Sequence, residues 1–350
     1  MQASFSHVAL RTLSHVLPPE IKTSAALEEE LAETYRRFHL SAGRLELMSG
    51  IRERRLWPPG MLASQASGCA AQALFKGHPG LARDEIDLLI HAAVCRDRLE
   101  PATASYVHKL LSLSPQAQAF DLSNACLGVL NALWLAASQI ESGQIRSALI
   151  VSGENSRPLL ESTLRESRSL SLDRQQFKRL FANLSLGSGA VALLLSPCSA
   201  APEAPRLVAA SALADTEACR LCEGGVAADA SWQMLTESEA LLQAGIDLAR
   251  RNWHNFLRLT RWEPSTIQHF LTHQVGQRHR TLLYGALGLE ISKDFSTFPF
   301  LGNTGSSALP MTLSIAWEQG RFHPGDRVAL LGIGSGLHSI ILGLEFPQLP

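Results

Sequence analysis

Cys126 lies in FDLSNACLGVLNAL, where a strand-like AQAFDL run feeds a turn and a helix begins at about the cysteine. A thiol there sits near the positive end of the helix dipole, which lowers its pKa and enriches the reactive thiolate. The position equally suits a buried structural cysteine, one of the most commonly buried residue types. His273, in IQHFLTHQVGQRH, stands at the end of an apolar strand and the start of a helix, where a satisfied structural histidine is the ordinary alternative. Asn303, in FPFLGNTGSSALP, occupies a glycine-rich turn that opens a helix, where a cap or turn role is the ordinary alternative. Near the C-terminus comes Gly332–Ile333–Gly334–Ser335–Gly336. The following LHSIILGLEF reads as another strand, so the segment lacks the helix that a dinucleotide-binding loop needs. A glycine-rich turn between two strands can instead offer backbone N–H groups of Gly334, Ser335 and Gly336 to a developing oxyanion.

Short β-rich runs alternate with helical stretches, the pattern of an α/β fold. Strands are expected at 86–94, 147–153, 190–196, 268–273 and 327–333, with helices at 128–143 and 238–257. SPCSAAPEAPR (196–206) is the linker candidate. On its two sides the chain repeats itself. NACLGVLNALWLAASQIESGQIRSALIVSG and NTGSSALPMTLSIAWEQGRFHPGDRVALLGIG both run from an Asn-led turn through a helix and a glycine to a strand. Such duplication predicts two halves, 1–196 and 206–350, sharing one interface. The starts of the equivalent helices, with Cys126 and Asn303, would then face a common centre.

The balance of 46% hydrophobic and 18% charged residues with a net charge of −1 argues against a dedicated nucleic-acid binder. No apolar run approaches the roughly 20 residues needed to span a bilayer. The N-terminus does not read as a signal peptide, and six scattered cysteines suit a reduced compartment. A cytoplasmic protein without a membrane span is expected. Cys219 and Cys222 form a lone CxxC with no second pair for zinc, so no metal site is assigned.

In this order the motifs are specific. Across nearly its full length the chain resembles the thiolase superfamily, and within it the β-ketoacyl synthase III branch. The resemblance rests on DLSNACLG, THQVG, GNTGSSALP and the GIGSG loop. It implies a duplicated five-layer αβαβα fold, usually dimeric, with a Cys–His–Asn triad where the halves meet. Cys126 would accept the acyl group, and His273 and Asn303 would donate hydrogen bonds to the second thioester carbonyl. The backbone N–H groups of Cys126 and the Gly334–Gly336 loop would form the other oxyanion hole. The substrates would be thioesters of coenzyme A or acyl carrier protein, with no further cofactor. Degradative thiolases use another cysteine near the C-terminus, and here none follows Cys222.

Glu100, in CRDRLEPATASYVH, refines the resemblance. A carboxylate at this place, with RERRLW, VSGENS and GIGSGL, resembles the head-to-head condensing enzymes of long-chain olefin biosynthesis. There it comes from the neighbouring subunit and removes an α-proton, so no decarboxylation is needed. A surface carboxylate before a proline turn is the plain alternative. Arg55 and Trp57 are candidates to grip the phosphates and adenine of coenzyme A, and Arg278 is a candidate for a carrier-protein contact. The charged insertion 157–185 either lines an alkyl channel or covers the core. The competing readings are a decarboxylative synthase III, an acyltransferase with the same triad, a catalytically silent partner subunit, and a Rossmann oxidoreductase. Retention of the triad opposes the third, and the missing N-terminal glycine fingerprint opposes the last.

Overall fold

Leu88–Ala92, Ala148–Glu154 and Gly189–Pro197 are buried at almost every position, as strands covered by helices on both faces must be. The protein is described here by a computed structural model covering residues 1–227 and 231–348. In it these three strands pair with Gln118–Leu122 and Val8–Val16 in the order 118–122, 88–92, 148–154, 189–197, 8–16. The first two steps are parallel and the last two antiparallel.

The second half repeats that order. His269–Thr272 runs parallel to Arg327–Gly334, which is antiparallel to His338–Glu345, itself antiparallel to Arg206–Ala214. A counterpart of strand 118–122 survives as one parallel bridge between Phe270 and Asp294. Gln2–Ser4 joins this half, pairing with 206–214. A single register pair, Ala9 with Arg206, links the two arrays.

Alternation along the strands sorts the layers. Leu88, Ile90, Val191 and Leu193 face inward onto helix Gly128–Glu141, while Leu89, Ala192 and Leu194 face outward onto Ala63–Gly77 and Thr103–Leu111. Helices Ser238–Thr260 and Gln277–Leu287 cover the outer face of the second array. GVLNALWLAASQIE and ALPMTLSIAWE are apolar nearly all round, which suits helices enclosed between two sheets. They form the middle layer, and both are followed by a left-handed glycine, Gly143 (φ 73°) and Gly320 (φ 65°). The result is the five-layer αβαβα arrangement expected from the sequence.

Segment 157–185 folds as helices Arg157–Ser167 and Arg174–Leu180 with a short 3-10 turn. Its Leu160, Phe177 and Leu180 pack on Leu27, Leu31 and Tyr35 near the N-terminus. No described helix is long and apolar enough to cross a membrane.

Candidate active site

Cys126 occupies a tight turn rather than the helix itself. The helix starts at Gly128, and Ala125 carries a φ of 45°, a left-handed conformation that alanine adopts only at a cost. Asn124 Nδ2 donates to Asn131 Oδ1 at 2.7 Å, tying the turn to the helix. The expected lowering of the thiol pKa is overturned. Burial, with Glu154 and Cys222 nearby, pushes the Cys126 thiol up to about 12, because desolvation disfavours the thiolate.

His273 follows strand His269–Thr272, and its backbone N–H donates to Leu331 O at 3.0 Å. The side chain is buried and Nδ1 has no protein partner. Burial, reinforced by neighbouring His279, lowers its pKa to about 3, so the imidazole is neutral at physiological pH. Neutral is the form that donates to a carbonyl without adding a buried charge.

Asn303 lies between helices Phe298–Leu301 and Ala308–Glu318. Its backbone N–H donates to Ser185 O at 3.0 Å, and Gly187 N–H donates to its carbonyl at 2.9 Å. Gly305 N–H donates to Oδ1 at 3.0 Å. With the oxygen committed as acceptor, the Nδ2 donors are left for the cavity. The seat is tight. A Cβ on Gly187 would lie 1.9 Å from Leu301 O, and one on Gly302 (φ 67°) 2.5 Å from Ser185 O. Only glycine permits that backbone approach.

The GIGSG segment closes the site. Gly334 and His338 pair across the end of a hairpin, and a Cβ on Gly334 would lie 3.5 Å from the Cys126 backbone nitrogen. Cys126, His273, Asn303, Gly334 and Ser335 line one mostly apolar cavity of about 1020 Å³. Gly336 is not among its lining residues.

The remaining candidates are distributed differently. Glu100 is exposed and does not line its own chain's cavity, although Val94, Cys95, Arg96 and Asp97 of the same loop do. Arg278 is at the cavity, exposed, and ion-paired with Glu239 (Nη2 to Oε2 2.8 Å). Arg55 and Trp57 do not line the cavity. Trp57 is 4% exposed within the core, and its Nε1–H donates to Glu154 O at 3.0 Å. An indole enclosed in this way has no free face for an adenine, which corrects the expectation. Arg54, beside them, is fully buried and spends its guanidinium on Lys22 O, Ser24 Oγ and Leu184 O.

Three cavity residues escaped the sequence reading. His279 is a second histidine whose pKa burial lowers to about 4. Cys222, the inner member of the CxxC, lines the wall while Cys219 is exposed. Glu154 is a buried carboxylate that Val94, Cys95 and Ser306 contact through their N–H groups. Its one sequence signal was a charge ending the apolar strand of the VSGENS run.

Two family models match the chain: 3-oxoacyl-[acyl-carrier-protein (ACP)] synthase III over residues 120–215, and its C-terminal model over 257–344. The acyl-CoA:acyl-CoA alkyltransferase of Shewanella oneidensis is 35% identical over 350 residues, covering 98% of this chain and 99% of that one. The chain belongs to the 3-oxoacyl-ACP synthase III family. Within this family of condensing enzymes, the acyl-CoA:acyl-CoA alkyltransferase of Xanthomonas campestris is 36% identical over 335 residues, with 95% and 97% of the two chains covered. A solved structure of Xanthomonas campestris OleA with bound lauric acid and lauroyl-CoA superposes with a TM-score of 0.93 at 34% identity, over 97% and 99% of the chains. The thiolase-like fold expected of a synthase III is therefore the fold this chain adopts.

Proposed function

We propose that this enzyme joins two fatty acyl-CoA molecules head to head by a non-decarboxylative Claisen condensation. One observation carries the reading: the triad opens into a cavity at the upper end of ordinary ligand-pocket volumes, whose wall continues over Phe177, Phe181, Trp232 and Met234. That wall is apolar and extends well beyond the reacting groups, as a site for alkyl chains should. The likeness to the two alkyltransferases supports the same substrate class.

The Cys126 sulfur attacks the first thioester carbonyl, coenzyme A leaves as its thiol, and an acyl-cysteine forms. Backbone N–H groups of Cys126 and the Gly334–Ser335 turn stabilise the oxyanion. The second acyl-CoA loses an α-proton to Glu100 of a neighbouring subunit, and its enolate oxygen is held by His273 and Asn303. The enolate carbon then bonds to the acyl carbon, the C–S bond to Cys126 breaks, and a β-ketoacyl-CoA remains. Glu100 lies beside Leu99, which is 86% exposed, on a loop whose first residues line this chain's own cavity. A dimer would bury that leucine and deliver the carboxylate across the interface. All six cysteines are unpaired, which suits work in the cytoplasm.

The deciding experiment incubates purified enzyme with myristoyl-CoA alone, then with acetyl-CoA plus malonyl-carrier protein. A β-keto product from the first supports the proposal. Carbon dioxide release with the second pair only would overturn it in favour of a decarboxylative synthase.

A further inference from the structure

Glu154 ends the strand Ala148–Glu154, is 3% exposed, and takes no part in the mechanism above. Its carboxyl group meets three backbone N–H groups and the Cys95 thiol rather than a cation, and burial raises its pKa. Oε1 accepts from Val94 N and Ser306 N, both at 2.9 Å, and Oε2 accepts from Cys95 N at 3.1 Å. The main chain is equally fixed: Glu154 pairs with Gly189 in the sheet, and its carbonyl receives the Trp57 indole N–H. A carboxylate accepts three N–H groups and donates none, whereas a glutamine in its place would aim an NH₂ at one of them.

The three donors belong to different parts of the site. Val94 and Cys95 open the loop that runs to Glu100. Ser306 belongs to the Asn303 turn, and its Oγ accepts from Val129 N at 2.9 Å in the first turn of the helix behind Cys126. Gly305 packs so closely that a Cβ there would lie 3.0 Å from Glu154 Oε1, and the Gly305 N–H holds Asn303 Oδ1.

We infer that Glu154 is a positioning residue that sets the Glu100 loop in register with the Asn303 turn and the Cys126 helix, linking each subunit's own site to the base it lends its neighbour. The inference rests on the proposed role of Glu100 as base. It follows that Glu154 governs enolate formation and condensation more than acylation, because its hydrogen bonds reach the Glu100 loop and the Asn303 turn directly and the Cys126 helix only through Ser306 and Val129.

The test compares E154Q, G305A and E100Q with the unmodified enzyme. Fold is checked by circular dichroism and thermal melting, Cys126 acylation by intact mass after myristoyl-CoA, and condensation by β-keto product. In E154Q, acylation should stay within roughly fivefold of the unmodified enzyme while condensation kcat falls about 10²-fold, the scale set by misplacing a reacting group by an ångström. G305A, which presses a Cβ onto the same carboxylate, should show the same split more weakly and carries the test if E154Q does not fold. Condensation at the unmodified rate in both E154Q and G305A, with E100Q inactive, overturns the positioning role. So does equal loss of acylation and condensation. Normal condensation by E100Q instead removes the base assignment on which the inference rests.

Discussion

Ser306 Oγ accepts the Val129 N–H at 2.9 Å, across 177 positions of sequence. The first turn of the helix behind Cys126 is thereby fastened to the turn that carries Asn303. The approach is close enough that a Cβ on Gly128 would lie 2.8 Å from the same oxygen. Two helix starts from opposite halves meet here, and each supplies what the other lacks: a free N–H and an acceptor for it.

Ser306→Ala should leave the Val129 N–H buried without a partner. The expected cost is about 1–3 kcal/mol of stability, read as a lower urea midpoint. An unchanged midpoint would mean that the contact does not hold the halves together.

The raised thiol pKa of Cys126 predicts its alkylation profile. Iodoacetamide labelling, followed by mass spectrometry, should accelerate about tenfold per pH unit from pH 7 to 10 without levelling. A plateau near pH 8 would restore the helix-dipole expectation.

His273→Ala and Asn303→Ala should each lower condensation by about 10²–10³, the usual loss for one oxyanion donor. Acylation of Cys126 should survive both, since its oxyanion donors are backbone groups. Rapid-quench measurement of the two steps separates them; equal loss in both steps would contradict the assignment of these side chains to the second thioester.

Glu100→Ala should abolish condensation and spare acylation. Co-expressed Glu100→Ala and Cys126→Ala chains should regain roughly a quarter of unmodified activity, because half of randomly assembled dimers are mixed and each has one complete site. No recovery in verified mixed dimers would place the base within its own subunit.

Acid should destabilise the protein through its buried histidines. His273 and His279 have folded-state pKa values lowered to about 3 and about 4, against an ordinary 6.5. Below pH 6.5 the unfolded chain binds protons that the folded chain refuses, so stability is full above pH 6.5 and is lost as pH falls toward 4. Denaturant midpoints at pH 7.5 and 5 should show this drop, and His279→Gln should lessen it.

The layers were legible because both sheets are built from continuous apolar runs, and because an internal repeat announces itself at fixed offsets. Cys126, His273, Asn303 and Gly334 could be picked out by motif, each at an element end where backbone groups are free. Glu154 could not. A charge at the end of an apolar strand looks like ordinary strand termination until the loop at 94–95 and the turn at 306 are seen to donate to it. Trp57 failed in the opposite direction, since an aromatic beside arginines reads as a surface until the packing around Ala66 and Leu74 encloses it.

Local pattern, then, was enough for the central apolar strands, the two middle helices and the repeat that orders them, because turn chemistry and apolar runs act over a few residues, whereas strands Val8–Val16 and Arg206–Ala214 were not picked out. Side-chain neighbourhoods across the two halves, the thiol's raised pKa and the hidden carboxylate came only with the tertiary structure. Desolvation and hydrogen bonding depend on groups brought close in space, and groups such as Ser306 and Val129 lie 177 positions apart in the chain.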